Sequence, residues 1–423
     1  MTHSVSRPVL ASAIAGLSLL VCSDGFGGEA WTQFLGPGRN NVVTDAPGLP
    51  TGWDAGRVKW KVSIPGEGWS SPLVADGMIW MTTATDEGRS LRAVAVDYAT
   101  GAVLKDIEVF RLEAAPTKHK RNSHASPTGI LSGGRFYVHF GTNGTAALDA
   151  KTGSVIWKQT ELKVDHQNGA GGSLTEFGEL LLVPVDGMDV QYEVALEKAT
   201  GKVAWKSERS AQPFLKTLAP DRRKAYGTPV LMKTNDGVVS LTTASTRLYA
   251  LDPATGAEKW YLNYGTGFSN VPLPVSDGKT LVICTGFMKP EVWGVRLEGA
   301  KGDVTESHVI WKQKGQAPDQ TTPVIANGMV FMVSSGGIAS CLDLETGDLK
   351  WRERIGSDFA ASPLVANGLV YFWDAQGNAT VVKASPTYEV VSKSTLGDGF
   401  MASPAVVGNT LILRTKTELY RVE

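Results

Sequence analysis

Side chains suited to binding or acid–base chemistry cluster in a few polar loops of this chain. Three long loops follow one another, at residues 119–127, 164–173 and 219–229, and two shorter ones lie at residues 186–192 and 267–272. We expect ten of their side chains to converge on one binding site: Asn122, His124, Asp165, His166, Asn168, Asp186, Asp189, Lys224, Tyr226 and Asn270.

The chemistry of these residues favours binding over catalysis. His124 and His166 lack the H-E-x-x-H spacing of a zinc site, so we expect them to hold the loops together by hydrogen bonds. Polar ligand binding and a metal site are the two alternatives for these histidines. The pair Asp186 and Asp189 does not by itself indicate acid–base catalysis, because such pairs are common. No residue is therefore assigned as catalytic, and a hydrolase that uses the loop histidines and aspartates remains a further alternative.

A repeated turn must position these loops. The stretch LDPATGAEKW at residues 251–260 recurs in related form at residues 96–105, 148–157, 196–205 and 342–351. The acidic residue can accept hydrogen bonds from turn amides, and the glycine can take the left-handed conformation that a compact hairpin needs. The Trp on the returning strand predicts packing between neighbouring sheets rather than a ligand-stacking surface.

A second repeated sequence pattern gives the number of repeating units. A Ser-Pro, Thr-Pro or related pair precedes a tight-turn dipeptide at eight places, which begin at Ser71, Ser126, Ser173, Thr228, Val271, Thr322, Ser362 and Ser403. Small residues and Pro suit an inner strand that is crowded near an axis. Each unit then has four strands, and the last unit lacks its outer strand, which residues 57–64 can supply. The sequence predicts an all-β, eight-bladed β-propeller that is closed by an N-terminal strand.

The spacing between the repeated turn and the following Pro-containing pair locates the inserted loops. Four of the links from the Trp position to the next Pro position span 12 residues, whereas the links after residues 105, 157 and 205 span 22, 17 and 24 residues. Insertions on one face of a repeat array are common at binding sites. We therefore expect the binding site to lie on the face that carries these three loops.

Composition and the N-terminus indicate an exported protein. Residues 1–30 contain Arg7, an apolar run too short to span a membrane and small residues up to Ala30, which is typical of a cleaved signal peptide. Val21 before Cys22 is too bulky for the usual lipidation signal, so we expect no lipid anchor. The chain has 41 basic and 42 acidic residues, and this balance indicates neither nucleic acid nor a membrane surface as partner. We expect a periplasmic or secreted monomer, with a lead segment at residues 31–56 and the propeller at residues 57–423.

The remaining cysteines indicate no metal site. Cys284 and Cys341 lie 57 residues apart in apolar, strand-like runs. We expect them to be small buried hydrophobic residues rather than a disulfide.

The repeated Asp-x-x-Thr-Gly-x-x-x-Trp pattern resembles the pyrroloquinoline-quinone-like (PQQ-like) β-propeller family, from Trp31 to Glu423. One branch, the quinoprotein dehydrogenases, binds PQQ with calcium at the channel mouth under an adjacent Cys-Cys disulfide that this chain lacks. Another branch, the barrel-assembly lipoproteins of the outer membrane, uses no cofactor. The resemblance implies a non-catalytic exported propeller without a cofactor, which binds a protein, a polar small molecule or a carbohydrate on its long-loop face. A PQQ-dependent alcohol or sugar dehydrogenase is the alternative.

Overall fold

The computed structural model describes residues 30–53 and 56–423. Eight β-sheets, each with four antiparallel strands, surround a central axis, and this arrangement confirms the predicted eight-bladed propeller. Residues 1–29 of the predicted signal peptide, Cys22 among them, lie outside the described residues. No helix in the described part of the chain is both long and apolar enough to cross a membrane.

Each blade runs from an inner strand at the axis to an outer strand at the periphery. The inner strands of blades 1 to 8 are Leu73–Ala75, Ile130–Ser132, Thr175–Phe177, Val230–Thr234, Val275–Ser276, Val324–Ala326, Leu364–Ala366 and Ala405–Val407. The second strands are Met78–Thr85, Arg135–His139, Leu180–Asp186, Gly237–Thr243, Thr280–Cys284, Met329–Val333, Leu369–Trp373 and Thr410–Arg414. The third strands are Ser90–Asp97, Thr145–Asp149, Gln191–Glu197, Arg247–Leu251, Glu291–Arg296, Ile338–Asp343, Asn378–Lys383 and Glu418–Val422.

The outer strands are Val103–Arg111, Val155–Gln159, Val203–Glu208, Glu258–Asn263, Val309–Lys314, Leu349–Arg354, Val390–Thr395 and, for blade 8, Val58–Ser63 from the N-terminal part of the chain. Strands Val42–Val43 and Gly302–Asp303 add to blades 7 and 4. Short helical turns lie between the strands, at Asp86–Gly88, Gly141–Asn143, Gln212–Leu215 and Pro220–Arg222. The links between blades and the loops between second and third strands share one side of the ring, which we call the long-loop face.

The repeated turn has the predicted hydrogen bonds. In blade 2, Asp149 Oδ1 accepts a hydrogen bond of 2.6 Å from the amide of Thr152 and one of 2.9 Å from its hydroxyl group. Gly153 follows with a φ of 84°, in the left-handed region that glycine adopts readily. A β-bulge at the start of the outer strand then appears in every blade. Where the repeated turn is present, it therefore fixes the direction in which the outer strand returns.

The Trp residues of the repeat join neighbouring blades, as predicted. Trp157 of blade 2 donates its indole N–H to the carbonyl oxygen of Lys198 in blade 3, at 2.9 Å. Equivalent bonds of 3.0 to 3.2 Å run from Trp60 to Tyr98, Trp205 to Pro253, Trp311 to Leu344 and Trp351 to Ser385. The ring is therefore held by hydrogen bonds as well as by packing.

A belt of hydrogen bonds around the axis explains the small hydroxyl residues that precede the inner strands. The residue at this position in one blade donates its backbone N–H to the hydroxyl oxygen of the residue at the equivalent position in the next blade, as from Ser173 to Thr228 at 2.9 Å. Six such bonds join the blades. The residues that take this position in blades 2 and 5 are Thr128 and Leu273, two residues beyond the Ser126 and Val271 expected from the sequence.

The lead segment fills the central channel, which the sequence did not predict. Trp31 pairs with Val74 of blade 1, and strand Val42–Val43 runs parallel to the inner strand of blade 7. Between them, Leu35 is 1% exposed and packs against Val230 in the inner strand of blade 4 and Leu273 just before that of blade 5. The chain then reaches the periphery, where Val58–Ser63 pairs with Glu418–Val422. The predicted closure of blade 8 by an N-terminal strand is confirmed.

Candidate functional site

A cavity of about 600 Å³ opens on the long-loop face, at the mouth of the filled channel. Links from several blades form its walls, and Phe34 of the lead segment contributes to its lining. The three long loops supply a large share of its polar residues, which include His119, Arg121, Asn122, Ser126, Gln167, Asn168, Asp221, Arg222 and Lys224. We call this space the mouth cavity.

Four of the ten expected site residues line the mouth cavity: Asn122, Asn168, Lys224 and Tyr226. Asn122 joins the first two long loops, because its side-chain amide donates to the carbonyl oxygens of Asn168 at 2.8 Å and Ala170 at 3.0 Å. Tyr226 joins the second and third loops by donating its hydroxyl hydrogen to the carbonyl oxygen of His166, at 2.8 Å. The three loops therefore form one continuous wall.

Lys224 is a buried cation in this wall. Its side chain donates a hydrogen bond to the carbonyl oxygen of Asp221, and its Nζ lies 5.5 Å from the ring centre of Phe268. Burial lowers the pKa of Lys224. Burial also raises the pKa of Tyr226, so its hydroxyl stays protonated and remains a hydrogen-bond donor.

The two expected histidines lie behind the wall of the mouth cavity. His124 packs against Gly88, and His166 packs against Gly141. Both ring nitrogens of His166 are buried without a hydrogen-bond partner among the described residues, and burial lowers its pKa to about 4. The loops are thus held together by packing of the His166 ring and by its main-chain carbonyl, whereas the sequence predicted hydrogen bonds from the histidine side chains.

The three expected aspartates also lie outside the lining. Asp189 accepts a hydrogen bond of 2.9 Å from the amide of Asp165, so both belong to the support of the second loop. Asp186 is buried in a bidentate ion pair with Arg209, at 3.0 and 2.7 Å. Arg209 contacts Glu193 as well, at 3.3 Å, and all three side chains are at most 2% exposed. This cluster stabilises the base of the third long loop, so Asp186 and Asp189 do not face the channel mouth together.

Asn270 is buried beneath the lining as well. It donates hydrogen bonds to the hydroxyl group of Tyr264, at 2.9 Å, and to the carbonyl oxygen of Cys284, at 3.2 Å. Asn270 therefore supports the wall of blade 5 from behind.

Cys284 and Cys341 are free thiols and both are buried, as predicted.

The apolar part of the mouth cavity was not predicted from the sequence. Phe34, Trp69, Phe268, Phe287, Met288 and Met401 all contribute to its lining. Phe287 and Met288 belong to the loop between the second and third strands of blade 5, and they are 48% and 67% exposed. A signal was present in the sequence, because an aromatic residue and a Met follow Gly286 in a loop that ends at Pro290. The mouth cavity thus combines apolar side chains with hydrogen-bond donors and a buried cation.

Comparison with known proteins shows the family. The family model described as outer membrane protein assembly factor BamB matches residues 25–176, 92–286 and 291–422. BamB of Yersinia pestis is 28% identical over 232 residues, which cover 50% of this chain and 52% of that protein. A quinoprotein ethanol dehydrogenase of Pseudomonas aeruginosa is 29% identical over 226 residues, which cover 49% of this chain and 32% of the enzyme. The chain therefore spans about half the length, or less, of these curated relatives.

Solved structures agree on the fold. BamB from Moraxella catarrhalis matches with a TM-score of 0.61 at 13% identity, over 86% of this chain and 99% of that one. A quinohemoprotein alcohol dehydrogenase from Comamonas testosteroni matches with a TM-score of 0.67 at 13% identity, over 93% of this chain and 80% of the enzyme. The fold alone follows from identities this low. The match of the family model over most of the chain goes further, and the protein belongs to the PQQ-like β-propeller family of outer membrane protein assembly factor BamB.

Proposed function

We propose that the protein is a non-catalytic, exported propeller that binds a protein partner on its long-loop face. The observation that carries this proposal is the exposed apolar rim of the mouth cavity, formed by Phe287 and Met288. Exposed aromatic and Met side chains beside a cavity are typical of protein-binding surfaces, where they become the buried centre of an interface. The other exposed large apolar residues lie on blade strands, with the exception of Phe214 in the short helix Gln212–Leu215.

The family supports the same function. Two curated relatives are named assembly factors, those of Yersinia pestis and of Moranella endobia, and the name implies contact with other proteins. The rigid propeller also suits this role, because a partner meets a cavity wall whose three long loops are already joined by Asn122 and Tyr226. We place the protein in the periplasm, where such an assembly factor works.

Site-specific photocrosslinking tests the proposal in the cells that export the protein. A photoreactive residue at position 288 should give a discrete crosslinked product with one partner, and the Phe287→Ser substitution should weaken that product. The matched control carries the photoreactive residue at Ile156, which is 43% exposed on the outer strand of blade 2. Absence of a discrete product at position 288, or the same product at both positions, would contradict the proposal.

The second candidate is a quinone-dependent dehydrogenase, which the quinoprotein relative favours. Calcium prefers six to eight oxygen ligands, usually including several carboxylates. Within residues 30–53 and 56–423, no three His, Cys, Asp or Glu side chains are grouped to hold a metal ion. The described residues therefore offer no cluster of carboxylates of the kind that usually holds calcium. Adding PQQ and calcium to the purified protein and recording quinone absorbance and dye reduction tests this candidate directly.

A further inference from the structure

The mouth cavity contains a buried cation that makes no direct ion pair among the described residues. Lys224 is 3% exposed, and no carboxylate oxygen in the described part of the chain lies within 4.0 Å of its Nζ. One of its three ammonium hydrogens is accepted by the carbonyl oxygen of Asp221. A buried ammonium group costs free energy unless charge or hydrogen bonds compensate it. An anionic group that enters the mouth cavity would supply both.

The hydrogen-bond belt adds donors to the lining of the same cavity. Each of five belt hydroxyl groups that line it accepts a backbone N–H with its oxygen, and the five residues are Ser173, Thr228, Thr322, Ser362 and Ser403. Among the described residues, none of these hydroxyl groups donates its own hydrogen to a protein acceptor. A hydroxyl group whose oxygen already accepts a hydrogen bond still has its own hydrogen to donate. A ligand atom that accepts a hydrogen bond satisfies it best. This part of the cavity therefore suits a ligand rich in acceptor oxygens.

An apolar wall stands next to these donors. Phe268, which lies beside the ammonium group of Lys224, packs edge-on against Phe287 with ring centres 6.0 Å apart. Phe34 and Trp69 extend the apolar lining. A purely ionic ligand would leave this surface exposed to water, whereas a carboxylate next to an aromatic side chain matches both parts of the cavity.

We propose that the mouth cavity binds a carboxylate carried next to an aromatic side chain on a peptide segment of the protein partner. The carboxylate lies against Lys224 and the belt hydroxyl groups, and the aromatic ring lies against Phe268. This inference rests on the proposed protein-binding function and specifies which part of the partner is recognised. The carboxylate comes either from an Asp or Glu side chain or from the end of the partner chain, and the two sources are separable by experiment.

Two pairs of short peptides test the inference on the purified full-length protein. N-acetyl-Phe-Glu-amide is compared with N-acetyl-Phe-Gln-amide for a side-chain carboxylate, and N-acetyl-Gly-Phe with its amide for a terminal one. Dissociation constants are measured by ligand-observed NMR titration. In at least one pair we expect the carboxylate form to bind about tenfold more tightly than its neutral counterpart, because the hydrogen bonds to Lys224 become charge-assisted.

The Lys224→Met variant should lose this preference while keeping the melting temperature and circular dichroism of the folded protein. The matched control, Lys233→Met, changes an exposed lysine in the inner strand of blade 4 and should leave the preference unchanged. Equal binding of the charged and neutral peptides, or a preference that survives Lys224→Met, would overturn the inference. Crosslinking from position 288 in the Lys224→Met variant separates the two proposals: an undiminished product would leave protein binding intact while rejecting carboxylate recognition.

Discussion

The indole ring of Trp157 lies so close to Gly201 of the next blade that a Cβ on this glycine would come within 2.5 Å of Cε3. Gly101, Gly256 and Gly347 meet the Trp of the preceding blade in the same way. The glycine of the repeated turn thus has two roles, because it takes a positive φ and also leaves room for the ring. These roles explain why Gly and Trp recur together in the sequence.

Substitution of Gly201 should separate these two roles. Gly201 has a φ of 72° and Gly368 one of 74°, but only Gly201 has atoms within 4 Å of the added methyl group. We expect Gly368→Ala to lower the free energy of unfolding by about 1 kcal/mol, through backbone strain alone. Gly201→Ala should cost about 1–3 kcal/mol more, because the Trp157 ring must move. Equal losses in urea unfolding would show that the ring contact contributes nothing.

The buried ion cluster should be sensitive to the loss of its only cation. Replacing Arg209 with Met leaves the carboxylates of Asp186 and Glu193 buried without their partner. We expect a loss of about 3–5 kcal/mol in the free energy of unfolding.

A triple variant provides the control for this cluster. Arg209→Met combined with Asp186→Leu and Glu193→Leu removes all three charges and should recover most of the lost stability. A triple variant as unstable as the single one would show that the shape of the cluster, rather than its charge balance, supports the third long loop.

Two buried histidines should make the protein less stable in mild acid. Burial lowers the pKa of His166 to about 4 and that of His139 to about 3, from an ordinary value of 6.5. The unfolded chain therefore binds protons first, and the stability present above pH 6.5 is lost as the pH falls towards these values. By pH 5 each histidine should cost roughly 2 kcal/mol.

The slope of unfolding free energy against pH measures this effect. His166→Leu removes one of the two groups, so the mean slope between pH 6.5 and pH 5 should become shallower by about 1 kcal/mol per pH unit. The comparison uses slopes, so a change in overall stability does not disturb it. An unchanged slope would mean that His166 has the same pKa in the folded and the unfolded protein.

The repeats made the ring predictable, because each repeated residue has one physical task in every blade. The three consecutive long links lie on the face where the mouth cavity opens, but the cavity also extends to the links of the other blades, and binding in this sector stays a prediction. The choice of side chains that line the cavity was less successful, because irregular loops have no periodicity to show which way a residue points. Asp186 is the clearest case, since its partner Arg209 lies 23 residues away and nothing in the spacing links them.

The lead segment was unpredictable for a related reason. Residues 31–43 contain neither the repeated turn nor the Pro-containing pair. Their place inside the channel depends on contacts that only the closed ring provides. Leu35, for example, packs against Val230 and Leu273, which lie about 200 residues further along the chain.

The N-terminal part of the chain should have two separable roles, filling the channel and closing blade 8. Deleting residues 31–53 removes the buried Trp31, Leu35 and Trp53 but keeps the strand Val58–Ser63. We expect this variant to melt at a lower temperature and to stay monomeric. Deleting residues 31–64 also removes that strand and leaves Glu418–Val422 as an unpaired edge, which invites pairing with other chains. This second variant should aggregate in size-exclusion chromatography. If the second variant stays monomeric with an unchanged melting temperature, the N-terminal strand does not protect the edge of blade 8. If both variants aggregate to the same extent, channel filling and edge closure are not separable roles.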